Sequence, residues 1–176
     1  MERRMEKGLI ILNTGDGKGK STAAFGTAFR ALGHGHKVCV IQFIKSPSEY
    51  GEVISAEKFQ NLEWYTEGRG FTWNSDDLEK DKAVAQKGFE LAKEKIKSDK
   101  YDLIVLDEVT YLSNYKFIDI NELIEVLKNK PDRLNIILTG RDADPKLIEI
   151  ADTVTEMKKI KHCFDDGIKA KKGIEF

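Results

Sequence analysis

The chain has 176 residues, with 29 Lys+Arg against 30 Asp+Glu and 40% hydrophobic residues. That length fits one compact domain over residues 1–176, and the composition excludes disordered, collagen-like and fibrous classes. The near-zero net charge argues against a general nucleic-acid coat, which needs a cationic excess.

No apolar run reaches the ~20 residues of a membrane helix. The apolar stretch before Asn13 is too short for a signal-peptide core. With two cysteines, Cys39 and Cys163, no disulfide framework is implied, and the expected compartment is the cytoplasm.

In chain order, strands are expected at Leu9–Leu12, Val38–Phe43, Leu62–Tyr65, Leu103–Leu106 and Ile136–Leu138, with a weaker one at Thr153–Met157. Short, near-continuous β-rich runs read as strands covered on both faces. Between them lie helical stripes. Phe25, Ala28, Phe29 and Leu32 form the first, with Gly33 placed to stop it. Leu78, Ala85, Phe89, Ala92 and Ile96 form the second, with Asp76 and Glu79 spaced as a capping box. Ile120, Leu123, Ile124 and Leu127 form the third, with Asp119 and Glu122 in the same relation. The alternation predicts an α/β fold: a mainly parallel sheet with helices on both faces. Strand order is not readable from these patterns.

The most informative stretch is Asn13–Thr22, NTGDGKGKST, between the first strand and the first helix. Gly15, Gly17 and Gly19 let the backbone turn tightly and aim N–H groups at an anion, flanked by Asp16 and Lys18. The helix behind adds the positive end of its dipole, roughly half a charge. Lys20 is expected to reach phosphate oxygens, Ser21 to sit on Mg²⁺, and Thr22 to complete the loop. One departure from G-x-x-x-x-G-K-[ST] is Thr14, which stands where the pattern has glycine. Asp16 brings a carboxylate into an anion loop, so its side chain should point away. A second element agrees: Asp102–Glu108, DLIVLDE, is an apolar strand ending in Asp107 and Glu108, placed to offer a carboxylate to the metal. These two elements define an Mg-nucleotide site without saying which bond is broken.

Taken together and in order, TGDGKGKSTAAFGTAFRALGHG, VIQFIK, GFTW, LDEVTY, LTGR, ADTVTE and KHCFDDGIKAKKGIEF resemble the phosphate-loop corrinoid adenosyltransferase family, the ATP:cob(I)alamin adenosyltransferases. The resemblance runs from about Gly8 to Phe176. It implies transfer of the 5′-deoxyadenosyl group of ATP to the Co(I) of a corrinoid, with release of triphosphate. It also implies a flavoprotein reductant and a homodimer. Phe71 and Trp73 match the aromatics that displace the lower cobalt ligand in the family.

Arg30 and Arg141 are candidate contacts to nucleotide or corrinoid. His34 and His36 read as a helix-terminating turn, and His162 and Cys163 as structural. The tail from Lys158 to Phe176 carries six lysines against three acids. By the resemblance it closes over the nucleotide end, with Lys169 a further phosphate contact. Only seven residues precede Gly8, where many relatives carry a cover for the corrinoid, and Asp142-Ala-Asp-Pro145 departs from the family pattern. The alternatives are an ATPase or small-molecule kinase attacking at the γ-phosphate, and a nucleotide-dependent binding module without turnover.

Overall fold

A computed structural model describes residues 7–45, 50–68 and 78–175. Six strands form one sheet: β1 (Ile10–Thr14), β2 (Val38–Gln42), β3 (Leu62–Thr66), β4 (Leu103–Asp107), β5 (Asn135–Thr139) and β6 (Thr153–Glu156). All the pairings are parallel, and the order is β3-β2-β4-β5-β1-β6. The helices are α1 (Lys20–Gly33), α2 (Gly51–Ala56), α3 (Leu78–Lys97), α4 (Thr110–Asn114), α5 (Ile120–Lys128) and α6 (Pro145–Ile150). A 3₁₀ turn follows at Cys163–Asp166.

Alternation along the strands divides the core into two layers. Val38, Val40, Leu103, Val105 and Ile137 meet Ala24, Ala28 and Leu32 of α1. Cys39, Ile41, Ile104, Leu106, Ile136 and Leu138 meet α3, α5 and α6. Both faces are therefore covered, which is why β2 and β4 are apolar at nearly every position.

Two helical details differ from the sequence reading. The buried face of α1 is Lys20, Ala24, Ala28 and Leu32, whereas Phe29 is 68% exposed. Small alanines let α1 settle close to the sheet, and the two phenylalanines are left on its flank. There Phe25 tilts against Trp64 at 4.9 Å and Phe29 meets Phe59 edge-on at 6.1 Å. The stop residue is Gly35, with φ 75°, because the Gly35 and His36 N–H groups donate to Leu32 and Ala31, a Schellman closure. His34 and His36 do form the expected turn.

In α3, Leu78 is exposed while Ala85, Phe89, Ala92 and Ile96 are buried. Asp76 lies outside the described residues. Asp119 caps α5 by accepting from the Asn121 N–H at 2.8 Å. Glu122 does not close the box and instead takes Lys93 at 2.8 Å.

Candidate active site

Parallel strands deliver their C-terminal ends to one edge, and the site is built there. From β1 comes the phosphate loop. Thr14 still belongs to the strand, paired with Glu156, so glycine is not needed; its hydroxyl accepts from the Ala143 N–H at 3.4 Å. Gly15 is needed. It has φ 97°, and a Cβ there would meet the Met157 carbonyl at 2.6 Å. The segment after β6 thus presses on the loop from outside, and Gly17 donates its N–H to that same carbonyl.

Lys20 is 7% exposed. Its ammonium lies inside the loop, donating to the carbonyls of Gly15 and Gly17 at 2.7 Å each. Burial lowers its pKa, opposed by the charges of Glu108, Asp16 and Asp107 and reinforced by Arg141. Ser21 and Thr22 line the cleft beside it, and Asp16, exposed at the loop tip, borders the same cleft close enough for its charge to act on Lys20.

The acids ending β4 take different parts. Asp107 is fully buried. Its carboxylate accepts from the Thr139 hydroxyl at 2.7 Å and from the Gln42 amide at 3.0 Å. Gln42 is itself held by the Trp64 indole N–H at 3.0 Å. Lys45 stands 3.6 Å from Asp107 and 3.4 Å from Glu52, with its ammonium over the rings of Phe25 and Tyr50.

Glu108 turns the other way. Its backbone is left-handed, φ 62°, an unusual conformation for a side-chain-bearing residue. The Glu108 N–H is pinned by Thr139 Oγ1 at 2.8 Å, and the side chain faces the cleft. Burial, then the Asp107 charge, raises its carboxyl to about 7, opposed by Lys20, Lys45 and Arg141. Its Oε2 is buried without a hydrogen-bond partner among the described residues.

The cleft spans about 650 Å³ between the phosphate loop, one flank of α1, the start of α2 and the C-terminal segment. Gly15 and Gly17 lie in the loop, and Lys18, Gly19, Lys20, Ser21, Thr22, Glu108 and Arg141 converge on this cleft. Arg141 is exposed, its carbonyl fixed by the Thr110 hydroxyl at 2.7 Å. Arg30 is exposed on α1 and lies outside the cleft lining. Phe71 and Trp73 lie outside the described residues.

From the tail come His162, Gly173, Ile174 and Glu175. Lys18 pairs with the Glu175 carboxylate and reaches the Ile174 carbonyl. His162 has the structural part expected of it, its Nδ1 accepting the Phe164 N–H at 3.1 Å, and it also borders the cleft. Lys169 is exposed and away from the lining.

Sequence reasoning missed Lys45, Glu52, Gln42 and Trp64. The run VIQFIK held a signal for two of them: a polar Gln42 closing a wholly buried strand, and a lysine three residues on.

A divalent cation fits the donor set. Ser21 and the unpartnered Glu108 oxygen offer hard oxygen ligands on the cleft, whereas the buried Asp107 already has both oxygens engaged. No group of three or more His, Cys, Asp or Glu side chains suited to a metal occurs among the described residues. Such an ion would complete its shell with phosphate and water, as Mg²⁺ prefers.

A phosphate loop between β1 and α1, facing an acidic β4 terminus on an all-parallel sheet, defines a phosphate-loop nucleotide-binding protein. The chain belongs to the ATP:corrinoid adenosyltransferase family BtuR/CobO/CobP, which it matches over residues 6–176. It is 49% identical to a corrinoid adenosyltransferase of Sinorhizobium sp., covering 97% of this chain and 81% of that one. Against the corrinoid adenosyltransferase of Escherichia coli (strain K12) it is 42% identical, over 97% and 87% of the two chains. Among solved structures, the flagellar accessory protein FlaH of Methanocaldococcus jannaschii has the same fold, with a TM-score of 0.59 at 15% identity over 86% of this chain and 72% of that one. Family membership favours adenosyl transfer over attack at the γ-phosphate. No helix among the described residues is long and apolar enough to cross a membrane.

Proposed function

We propose that the cleft of this ATP:corrinoid adenosyltransferase holds ATP with its triphosphate in the Gly15–Thr22 loop and that Glu108, not Asp107, is the metal-side acid. In the reaction, the Co(I) of the corrinoid attacks C5′ of ATP. The C5′–O bond breaks, its electron pair leaves with triphosphate, and cobalt becomes Co(III)–carbon. Co(I) needs no general base, so the protein contributes alignment and leaving-group stabilisation.

Lys20, the loop N–H groups and the α1 dipole oppose the charge that grows on the departing oxygen. Mg²⁺, when bound by Ser21 and Glu108, adds charge neutralisation to the triphosphate. Asp107 holds no ligand in this reading; it fixes Lys45 and, through Thr139, the turn that aims Glu108. Arg141 borders the phosphates, and Arg30 serves nucleotide or corrinoid from the α1 surface. Phe71 and Trp73 are the aromatics that displace the lower cobalt ligand. A flavoprotein supplies the electron that makes Co(I). Residues 1–176 act as one domain of a cytoplasmic homodimer, which sedimentation checks.

The observation that carries the site assignment is the unpartnered Glu108 oxygen on the cleft that also holds Lys20 and Ser21. The test is product analysis with Mg-ATP and chemically reduced cobalamin. Triphosphate and a light-sensitive adenosylated corrinoid are expected, and Lys20→Ala should lower turnover by about a hundredfold or more. ADP and phosphate as the only products overturn the reading.

A further inference from the structure

The end of the chain divides into two stretches of opposite charge. Over residues 141–156, which hold α6 and β6, Asp142, Asp144, Glu149, Asp152 and Glu156 stand against Arg141 and Lys146, a net charge of −3. Over residues 157–176, six lysines stand against Asp165, Asp166 and Glu175, a net charge of +3. The stretches meet at a recess of about 440 Å³, which Arg141 and Glu156 line together with Lys158, Lys159 and Ile160.

Neighbouring stretches of opposite sign can neutralise each other within one chain. Here the tail acids are taken up elsewhere: Lys159 holds Asp165 at 3.0 Å, Lys161 lies 3.7 Å from Asp166, and Lys18 takes Glu175. Asp152 of the acidic stretch is 3.7 Å from Lys7. Among the described residues no ion pair joins the acidic stretch to the basic one.

Each stretch also leaves large apolar side chains uncovered. Ile160 is 91% and Phe164 74% exposed, and Ile148 of α6 and Val154 of β6 are exposed as well. Apolar groups gathered in this way, with charges around them, mark an interaction surface. β6 is moreover an edge of the sheet with all four residues exposed, the state in which a strand invites a partner.

We propose that a second copy of the chain docks on this surface, the basic tail of each protomer lying on the acidic α6–β6 flank of the other. The inference rests on the homodimer proposed above and gives it an interface. The equal and opposite charges argue for a second copy. In a two-fold dimer the first patch of one subunit meets the second patch of its partner, and the reverse, so −3 meets +3 twice. A partner of one sign is attracted by one stretch and repelled by the other. Ile160 and Phe164 then bury against Ile148 and Val154, forming the apolar centre, while the charges fix the register. His162 and Glu175 of the same tail line the nucleotide cleft, so the partner braces one wall of the active site.

Sedimentation of the full chain and of three variants tests this. Glu149→Lys with Glu156→Lys reverses the acidic stretch, and Lys158→Glu with Lys161→Glu reverses the basic one. All four positions are exposed, so circular dichroism should match the parent. Each double variant alone sets like charges at both contacts and should sediment as a monomer. Mixed in equal amounts, the two should form a dimer of one chain of each kind, because both contacts regain opposite signs. Phe164→Ser should raise the dimer dissociation constant about a hundredfold, about tenfold at each of the two symmetric contacts. Charge-reversed proteins that stay dimeric overturn the proposal, as does a mixture that stays monomeric. Should either reversal disturb the circular dichroism, Phe164→Ser decides, and an unchanged dissociation constant overturns it. A parent chain that is itself monomeric overturns the homodimer, so that failure is told apart from a wrongly placed interface.

Discussion

The Thr139 hydroxyl donates to the Asp107 carboxylate at 2.7 Å and, from the same oxygen, accepts the Glu108 N–H at 2.8 Å. One side chain at the end of β5 therefore fixes both acids at the end of β4. It satisfies the buried one and locks the left-handed turn that sends the next one into the cleft. Thr139→Val keeps the shape and removes both bonds. It should destabilise the protein by about 2 kcal/mol, the cost of leaving buried polar groups unpaired, as read by chemical denaturation. It should also raise KM for Mg-ATP, because Glu108 loses its anchor.

Lys45 is the cation that balances Asp107 and Glu52. Both distances exceed those of short charged hydrogen bonds, so its donors remain available on the cleft wall. Lys45→Met leaves the fully buried Asp107 carboxylate with two neutral donors and no ion-pair partner among the described residues, only the more distant Lys20 charge. A loss on the order of 2 kcal/mol in stability is expected, together with weaker ATP binding by titration calorimetry. Lys45→Arg should recover most of the stability.

Glu108 sets a pH dependence. With its carboxyl near 7 against an ordinary 4.5, the folded protein holds a proton that the unfolded chain releases. The group's contribution to stability therefore falls as pH rises from about 4.5 to about 7 in the nucleotide-free protein. In the proposed site proton and metal compete for the same oxygens, so Mg²⁺ affinity in the presence of ATP should rise with pH through 7 and level above it. Glu108→Gln should flatten that profile and lower Mg²⁺ affinity throughout.

Glu63 works in the opposite sense. Hydrogen bonding from Tyr65, with Tyr101 and Lys95 in support, holds its carboxyl down to about 2 against the opposing effect of burial. The stabilisation is complete above about 4.5 and is lost as pH falls toward 2. Glu63→Gln should make the acid limb of the stability profile shallower in that window. Added salt should diminish the difference, since the side chain is 47% exposed and the pairing is screened.

The phosphate loop, the β4 acids and the strand–helix alternation were legible because each depends on local spacing. The polar Gln42 shows where local reading stops. It closes an apolar strand, and its purpose appears only when β2 lies beside β4 and its amide meets Asp107. The faces of α1 illustrate the same limit: Phe25 and Phe29 have core-like periodicity, yet the alanines lie against the sheet because the close approach of α1 leaves no room for rings there. Of the tail, the residues by themselves showed a basic bias and a family motif; its contact with Lys18 depends on 150-odd residues of intervening fold.

By itself the sequence determined an α/β chain with a nucleotide loop, an acidic strand end and the motif series of its family, because these are properties of residues near one another in the chain. The tertiary structure decided which acid faces the cleft. Asp107 and Glu108 are neighbours with the same charge, and periodicity cannot tell them apart. Thr139, thirty-two residues from Asp107, turns one inward and the other outward. It can do so only because β4 and β5 pair in parallel, and strand order is a consequence of global packing rather than of local pattern.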